Sequence, residues 1–145
     1  MKYFRHAGEI TDWMDTRKAV YYTGGDERWL ADKLKWQRLF GPSESEDLIF
    51  GIAKLPPGEI HLPHHHPDAP ELYYVLEGQG LFRVAGEEKE CGPGSGIYMP
   101  AGASHSVWNN GTEELVFFFA YDRPFYQTVL DLGDGKPDSL WASTE

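Results

Sequence analysis

The sequence is nearly without cysteine. Cys91 is its single thiol, so an intrachain disulfide is excluded, and the residue is read as a buried apolar side chain rather than a reactive one. Long apolar runs are missing as well. No stretch reaches the roughly eighteen residues of a membrane-spanning helix, and the opening "MKYFRHAGEITDW" has charges where a secretory signal would be apolar. Basic residues are scarce, 13 against 23 acidic, for a formal net charge of −10. Such a surface repels phosphate backbones and anionic lipid heads, so neither nucleic acid nor a membrane is an expected partner. The charge is read as serving solubility, and a cytoplasmic location is expected. Internal repeats and low-complexity linkers are absent too, which leaves the 145 residues as one domain, 1–145.

What the chain does contain is turn-formers and aromatics. Sixteen Gly and ten Pro interrupt a sequence that is 41% apolar and 14% aromatic, which favours an all-β fold with many turns around one core. Ile10, Trp13 and Met14 fall at helical spacing, so a short helix is expected near residues 9–17. N-terminal strands are expected within 19–41, from "AVYY" at 19–22 and from the alternating "LKWQRLFG" at 34–41. A core of regular strands is expected over 47–120: "DLIFGIAKL", "ELYYVLEG", "GLFRVAG", "GSGIYMP", "SHSVWNN" and "ELVFFFAYD" are each bounded by Gly, Pro or Asn. Residues 131–145 form a polar tail in which Trp141 is the one candidate anchor.

The stretch "HLPHHHPDAPELYYVLEG", His61 to Gly78, concentrates the chemistry. On a strand, residues two apart share a face, so His64 and His66 present two imidazoles to one point while His65 turns away. Strand parity likewise assigns His61 to the rim or surface, and His6 is read as a surface residue. Glu71 opens the next apolar run after the "PDAP" bend. Two imidazoles and a carboxylate suit a divalent transition metal such as Zn, Fe, Mn, Ni or Co. A further imidazole, His105, opens a strand after the Pro100–Gly102 turn, and an antiparallel fold can bring it beside the first pair.

These residues carry a family resemblance. The first motif reads Gly58-x5-His64-x-His66-x4-Glu71-x6-Gly78, and the second reads Gly94-x5-Pro100-x-Gly102-x2-His105-x3-Asn109. In order and spacing they resemble the two motifs of the cupin superfamily, with Ser95 where many cupins have Asp in the turn. The resemblance implies a small jelly-roll β-barrel, a double-stranded β-helix, with His64, His66, Glu71 and His105 holding one metal in its mouth. It also implies open coordination positions for water or substrate. Cupins of this size commonly pair, so a homodimer through strand edges and residues 1–40 is expected.

The fold does not fix the reaction. Tyr73 shares the inward face of Glu71 two residues on, so it is a candidate general base or a core aromatic. Substrate-contacting candidates are Arg38, Phe50, Tyr98, Val107, Phe119 and Tyr121, with Trp36, Phe40, Met99, Phe117 and Tyr126 as further lining and Arg83 as a second basic anchor. Together they suit a small, partly apolar substrate. "PPGEIHLPHHHPDAPELYYVLEGQG" with "NNGTEELVFFFAYDRPF" is also similar to the small cupin-type dimethylsulfoniopropionate lyases. That similarity implies that a metal grips a substrate carboxylate while a tyrosine at the Tyr73 position takes the α-proton. The chain departs from those lyases near Val129 or Leu130, where they carry a second tyrosine for which Tyr121 or Tyr126 is a candidate substitute here. The leading expectation is a redox-neutral metal-dependent lyase, isomerase or polyketide cyclase. The alternatives are an Fe(II) dioxygenase and a non-enzymatic small-molecule or metal-binding module.

Overall fold

The computed structural model describes residues 3–15, 25–122 and 127–132. Its strands are β1 (Met14–Asp15), β2 (Lys35–Phe40), β3 (Ile49–Leu55), β4 (Ile60–His65), β5 (Glu71–Glu77), β6 (Gly80–Val84), β7 (Glu87–Cys91), β8 (Gly96–Met99), β9 (His105–Trp108), β10 (Leu115–Tyr121) and β11 (Val129–Leu130). They form two antiparallel sheets, one in the order β1-β2-β3-β10-β5-β8 and the other β11-β4-β9-β6-β7. This is the jelly-roll barrel of the cupin type, as the sequence leads one to expect. Only two short 3₁₀ turns occur among the described residues, Ala7–Glu9 and Glu27–Ala31.

Strand alternation builds the core. On β3 the burial pattern switches at every residue, with Ile49, Ala53 and Leu55 inward. Opposite them on β10 lie Phe117, Phe119 and Tyr121, and on β5 lie Tyr73 and Val75. The second sheet closes this layer with Phe82, Val107 and Cys91. Cys91 is thus a packed core residue, as expected.

The N-terminal region differs from expectation. No α-helix forms over the described part of 9–17; only Glu9, at its start, belongs to a 3₁₀ turn. Instead Met14 and Asp15 pair with Trp36 and Lys35 at the edge of the larger sheet. Gln37 donates from Nε2 to the Ile10 carbonyl at 2.6 Å, and Lys54 lies 4.8 Å from the Trp13 ring centroid. Ile10, Trp13 and Met14 therefore find their partners along an extended segment laid over β2 and β3, which outweighs the helical spacing. The strand expected at 19–22, Tyr126 and Trp141 lie outside the described residues.

Gly51 is the tightest point of the larger sheet. A Cβ there would lie 1.9 Å from the Gln37 carbonyl oxygen, beside the β-bulge between Arg38 and Phe40. Gly51→Ala is expected to lower stability by at least the ~1–3 kcal/mol typical of overpacking. Gly96→Ala, with nothing within 4 Å of the added carbon, is expected to stay within ~0.5 kcal/mol of wild type. Urea melts of both variants measure the difference.

Candidate metal centre

The β4–β9 pairing assembles the site. His64 and His105 are direct partners across the two strands. His66 follows β4, and Glu71 opens β5 in the opposing sheet, next to Met99 and Tyr121. The four side chains are buried, and one ligand atom from each lies within 4.8 Å of all the others. The His105 and His66 Nε2 atoms stand 3.2 and 3.4 Å from Glu71 Oε1. The set that the sequence singles out is therefore brought together in space.

Each imidazole is oriented from behind. His64 Nδ1 lies 2.6 Å from the Leu62 carbonyl, His105 Nδ1 lies 3.0 Å from the Ala103 carbonyl, and His66 Nδ1 lies 2.9 Å from the Gln127 carbonyl. A carbonyl only accepts, so each Nδ1 carries a proton, and in the neutral ring this leaves the Nε2 lone pair for the cluster centre. Glu71 Oε1 and His105 Nε2 are buried without a hydrogen-bond partner. Buried polar atoms are normally satisfied, and a cation among these donors would satisfy them. Three neutral imidazole nitrogens and one carboxylate fit a divalent transition metal.

The electrostatics agree. Burial holds the His64 imidazole well below its ordinary 6.5, and the neighbouring rings of His105, His61 and His66 push the same way. For Glu71, desolvation pushes upward, but the His105 and His66 rings close beside its Oε1 prevail in the metal-free site and hold the carboxyl at about 2. His64 is thus kept neutral and Glu71 ionised, the forms in which both bind a metal.

Other candidates divide by strand face. Tyr73 points inward and is 4% exposed, with its ring 4.5 Å from Phe117 and 6.1 Å from His105, centroid to centroid. Val107, Phe119 and Tyr121 are buried on the inner face, and Arg38 opposes Gly51 and so shares the inner side of β2 with Trp36. Tyr98 and Phe50 require correction. Tyr98 alternates with the inward Met99 and is 60% exposed on the outer face. Phe50 alternates with Ile49 and packs outside against Phe40 and Phe118. Arg83 alternates with the inward Phe82 and ion-pairs with Glu88 on β7.

His61 also requires correction. It is buried rather than at the rim, its ring centroid is 4.5 Å from that of His64, and its Nδ1 is 2.7 Å from Asp32 Oδ2. The cause is a bulge. His61 pairs with Val107 and His64 with His105, three steps on β4 against two on β9. The extra residue reverses the parity on which the outward assignment rests. His65 does turn away, onto Asp131 at 2.8 Å. Asp32, Trp29 and Thr128, which also reach the cluster, lie far off in the chain and carry no motif that could mark them.

Comparison with known proteins agrees with this geometry. The family profile described as "Cupin domain" matches residues 51–121. The dimethylsulfoniopropionate lyase DddW of Ruegeria pomeroyi is 30% identical over 99 residues, 67% of this chain and 64% of that protein. An oxalate-binding protein of Thermotoga maritima is 36% identical over 69 residues, 48% of this chain and 57% of that protein. The chain thus spans less than two thirds of the length of these curated relatives. A solved structure, a predicted oxalate decarboxylase from Thermotoga maritima, superposes with TM-score 0.63 over 88% of this chain and 99% of that one, at 24% identity. At that identity the likeness is one of fold.

The buried cluster makes the metal-free protein acid-sensitive. With His64 below 6.5 in the folded chain, the unfolded chain binds more protons under pH 6.5, so this stabilisation is full above 6.5 and drains as pH falls. Glu71 acts in the same direction lower down, its share being full above 4.5 and lost on the way to about 2. The melting temperature of the metal-free protein is expected to fall steadily from about pH 7 to about pH 4. In His64→Ala the upper part of that slope should be flatter. Calorimetry across the pH series checks both.

Proposed function

With membership of the cupin family as the premise, we propose that this chain is a metal-dependent enzyme that removes a proton beside a carboxylate and eliminates a leaving group. Dimethylsulfoniopropionate is the substrate favoured. The metal would be held by His64, His66, Glu71 and His105, and Zn, Fe, Mn and Ni all suit that donor set. When bound, it would supply a Lewis acid for the substrate carboxylate and for the charge that develops on the α-carbon.

The observation that carries the reading is the position of Tyr73. It sits one strand period from Glu71 on the same inner face, beside His105 and directly opposite Phe119 of β10. As its phenolate, a tyrosine so placed can act as general base, and the phenolate is regenerated when the proton passes to solvent. Tyr73 takes the α-proton, the C–H electron pair becomes the new C=C bond, and the C–S pair leaves with dimethyl sulfide. The products are dimethyl sulfide, acrylate and the proton, which passes to solvent. Val107, Phe119 and Tyr121 give the inner face an apolar lining that suits a small substrate with methyl groups and admits little water. The similarity to DddW supports the same substrate class. A small-molecule enzyme of this fold is further proposed to act as a homodimer.

Headspace chromatography of dimethyl sulfide tests the reaction. The metal-loaded protein is expected to release it equally with and without oxygen. Tyr73→Phe should lose about 10²–10⁴-fold in kcat while keeping its metal content by elemental analysis. Full activity in Tyr73→Phe would make that residue core packing. Oxygen consumption coupled to turnover would replace elimination with a dioxygenase reaction.

A further inference from the structure

Behind the proposed metal ligands lies a second buried group of polar side chains that the reaction above does not use. Asp32 is 2% exposed and follows the 3₁₀ turn Glu27–Ala31, far from either motif in the chain. Its carboxylate accepts at Oδ1 from the Leu34 N–H at 2.9 Å, and at Oδ2 from the Leu62 N–H at 2.8 Å and from His61 Nδ1 at 2.7 Å. Two of those donors lie in the bulged part of β4 that leads to His64. Leu62, whose N–H Asp32 holds, offers its carbonyl to His64 Nδ1 at 2.6 Å. His61, whose ring Asp32 holds, lies 4.5 Å from the His64 ring, and Trp29 of the same 3₁₀ turn meets His64 edge-on at 5.6 Å.

We propose that Asp32 is a positioning residue for the metal centre, acting on His64 by two routes: through the Leu62 backbone and through the His61 ring. The inference rests on the metal-centre reading. A bulge has one residue without a ladder partner, so it is the part of β4 least fixed by pairing. His64 enters the site from this bulge, and its Nε2 must point at one spot shared with three other donors. The carboxylate supplies what the ladder does not. It fixes one backbone N–H and one ring in the same contact and thereby sets the rotation of His64. Outer groups that orient a metal-bound imidazole typically affect metal affinity about 10–100-fold.

The test is a titration of the full chain with Co(II), whose visible absorption reports both occupancy and coordination geometry. Asp32→Ala and the near-isosteric Asp32→Asn are expected to weaken Co(II) binding about 10–100-fold and to alter the absorption bands. In Asp32→Asn the amide nitrogen cannot accept: placed at the Oδ2 position it deprives both Leu62 N–H and His61 Nδ1 of their acceptor, and placed at the Oδ1 position it deprives Leu34 N–H. Leu55→Ala removes a buried side chain from the opposite end of β3. It controls for loss of stability and is expected to keep wild-type affinity and spectrum. Wild-type affinity and spectrum in Asp32→Ala would overturn the positioning role alone, as would an equal loss of affinity in Leu55→Ala. Failure of the wild-type chain to bind Co(II) would overturn the metal centre, and the positioning role with it.

Discussion

Three imidazoles and a carboxylate have to be buried together at one end of an apolar barrel, and the arrangement around them answers to that constraint. An ionised carboxylate out of water is costly unless cations or hydrogen-bond donors surround it. Here His66 and His105 approach Glu71, and their influence outweighs the desolvation that would otherwise raise its pKa. The rings cannot all turn to the carboxylate through either nitrogen, because backbone carbonyls hold each Nδ1. Those carbonyls come from β4 itself, from the turn before β9 and from the segment before β11. The cluster therefore depends on three separate pieces of chain being in place. A site held in this way is oriented before any ligand enters, which is what selective metal binding and a low reorganisation cost require.

Much of this was legible in the sequence because two spacings carry it. Residues two apart on a strand share a face, and that alone pairs His64 with His66 and Glu71 with Tyr73. The fold followed from glycine, proline and asparagine at regular intervals between short β-rich runs. His105 could be recognised only through the second motif. Its place opposite His64 is a matter of long-range strand register, which no local pattern encodes.

What was misread has equally definite causes. Tyr98 and Met99 are neighbours, as are Phe50 and Gly51, and neighbours on a strand cannot both face inward. An aromatic residue near a motif is thus weaker guidance than the parity set by a known inward residue. Met99, paired with Glu71, is such a residue, and it consigns Tyr98 to the outside. His61 failed in the opposite way. Parity was applied to it, but one extra residue in β4 cancels parity. A bulge leaves no trace in composition, and only the count of steps on both strands reveals it. The N-terminal segment failed for a third reason. Ile10, Trp13 and Met14 satisfy helical spacing, but an open sheet edge offered an extended chain more partners than a lone helix would find.

The family profile ends at residues 51 and 121, and the four cluster residues all lie inside it. Some of the groups that pack against or brace the cluster do not. Asp32 and Trp29 come from before the matched region, and Gln127, Thr128 and Asp131 come from after it. The shared part of the fold thus supplies the donors, and the flanking segments determine how rigidly two of the three imidazoles are held. His105 is oriented from within the matched region by Ala103, whereas His64 is braced by the N-terminal segment and His66 by the C-terminal one. Relatives that keep both motifs but differ in their flanks would have the same donor set under different restraint. Restraint bears directly on which metal geometry is favoured and which positions stay open to substrate. Lyase and oxalate-binding names among the relatives therefore need not imply different donor sets, and the flanks are one place where a physical difference between proteins that share both motifs is to be sought.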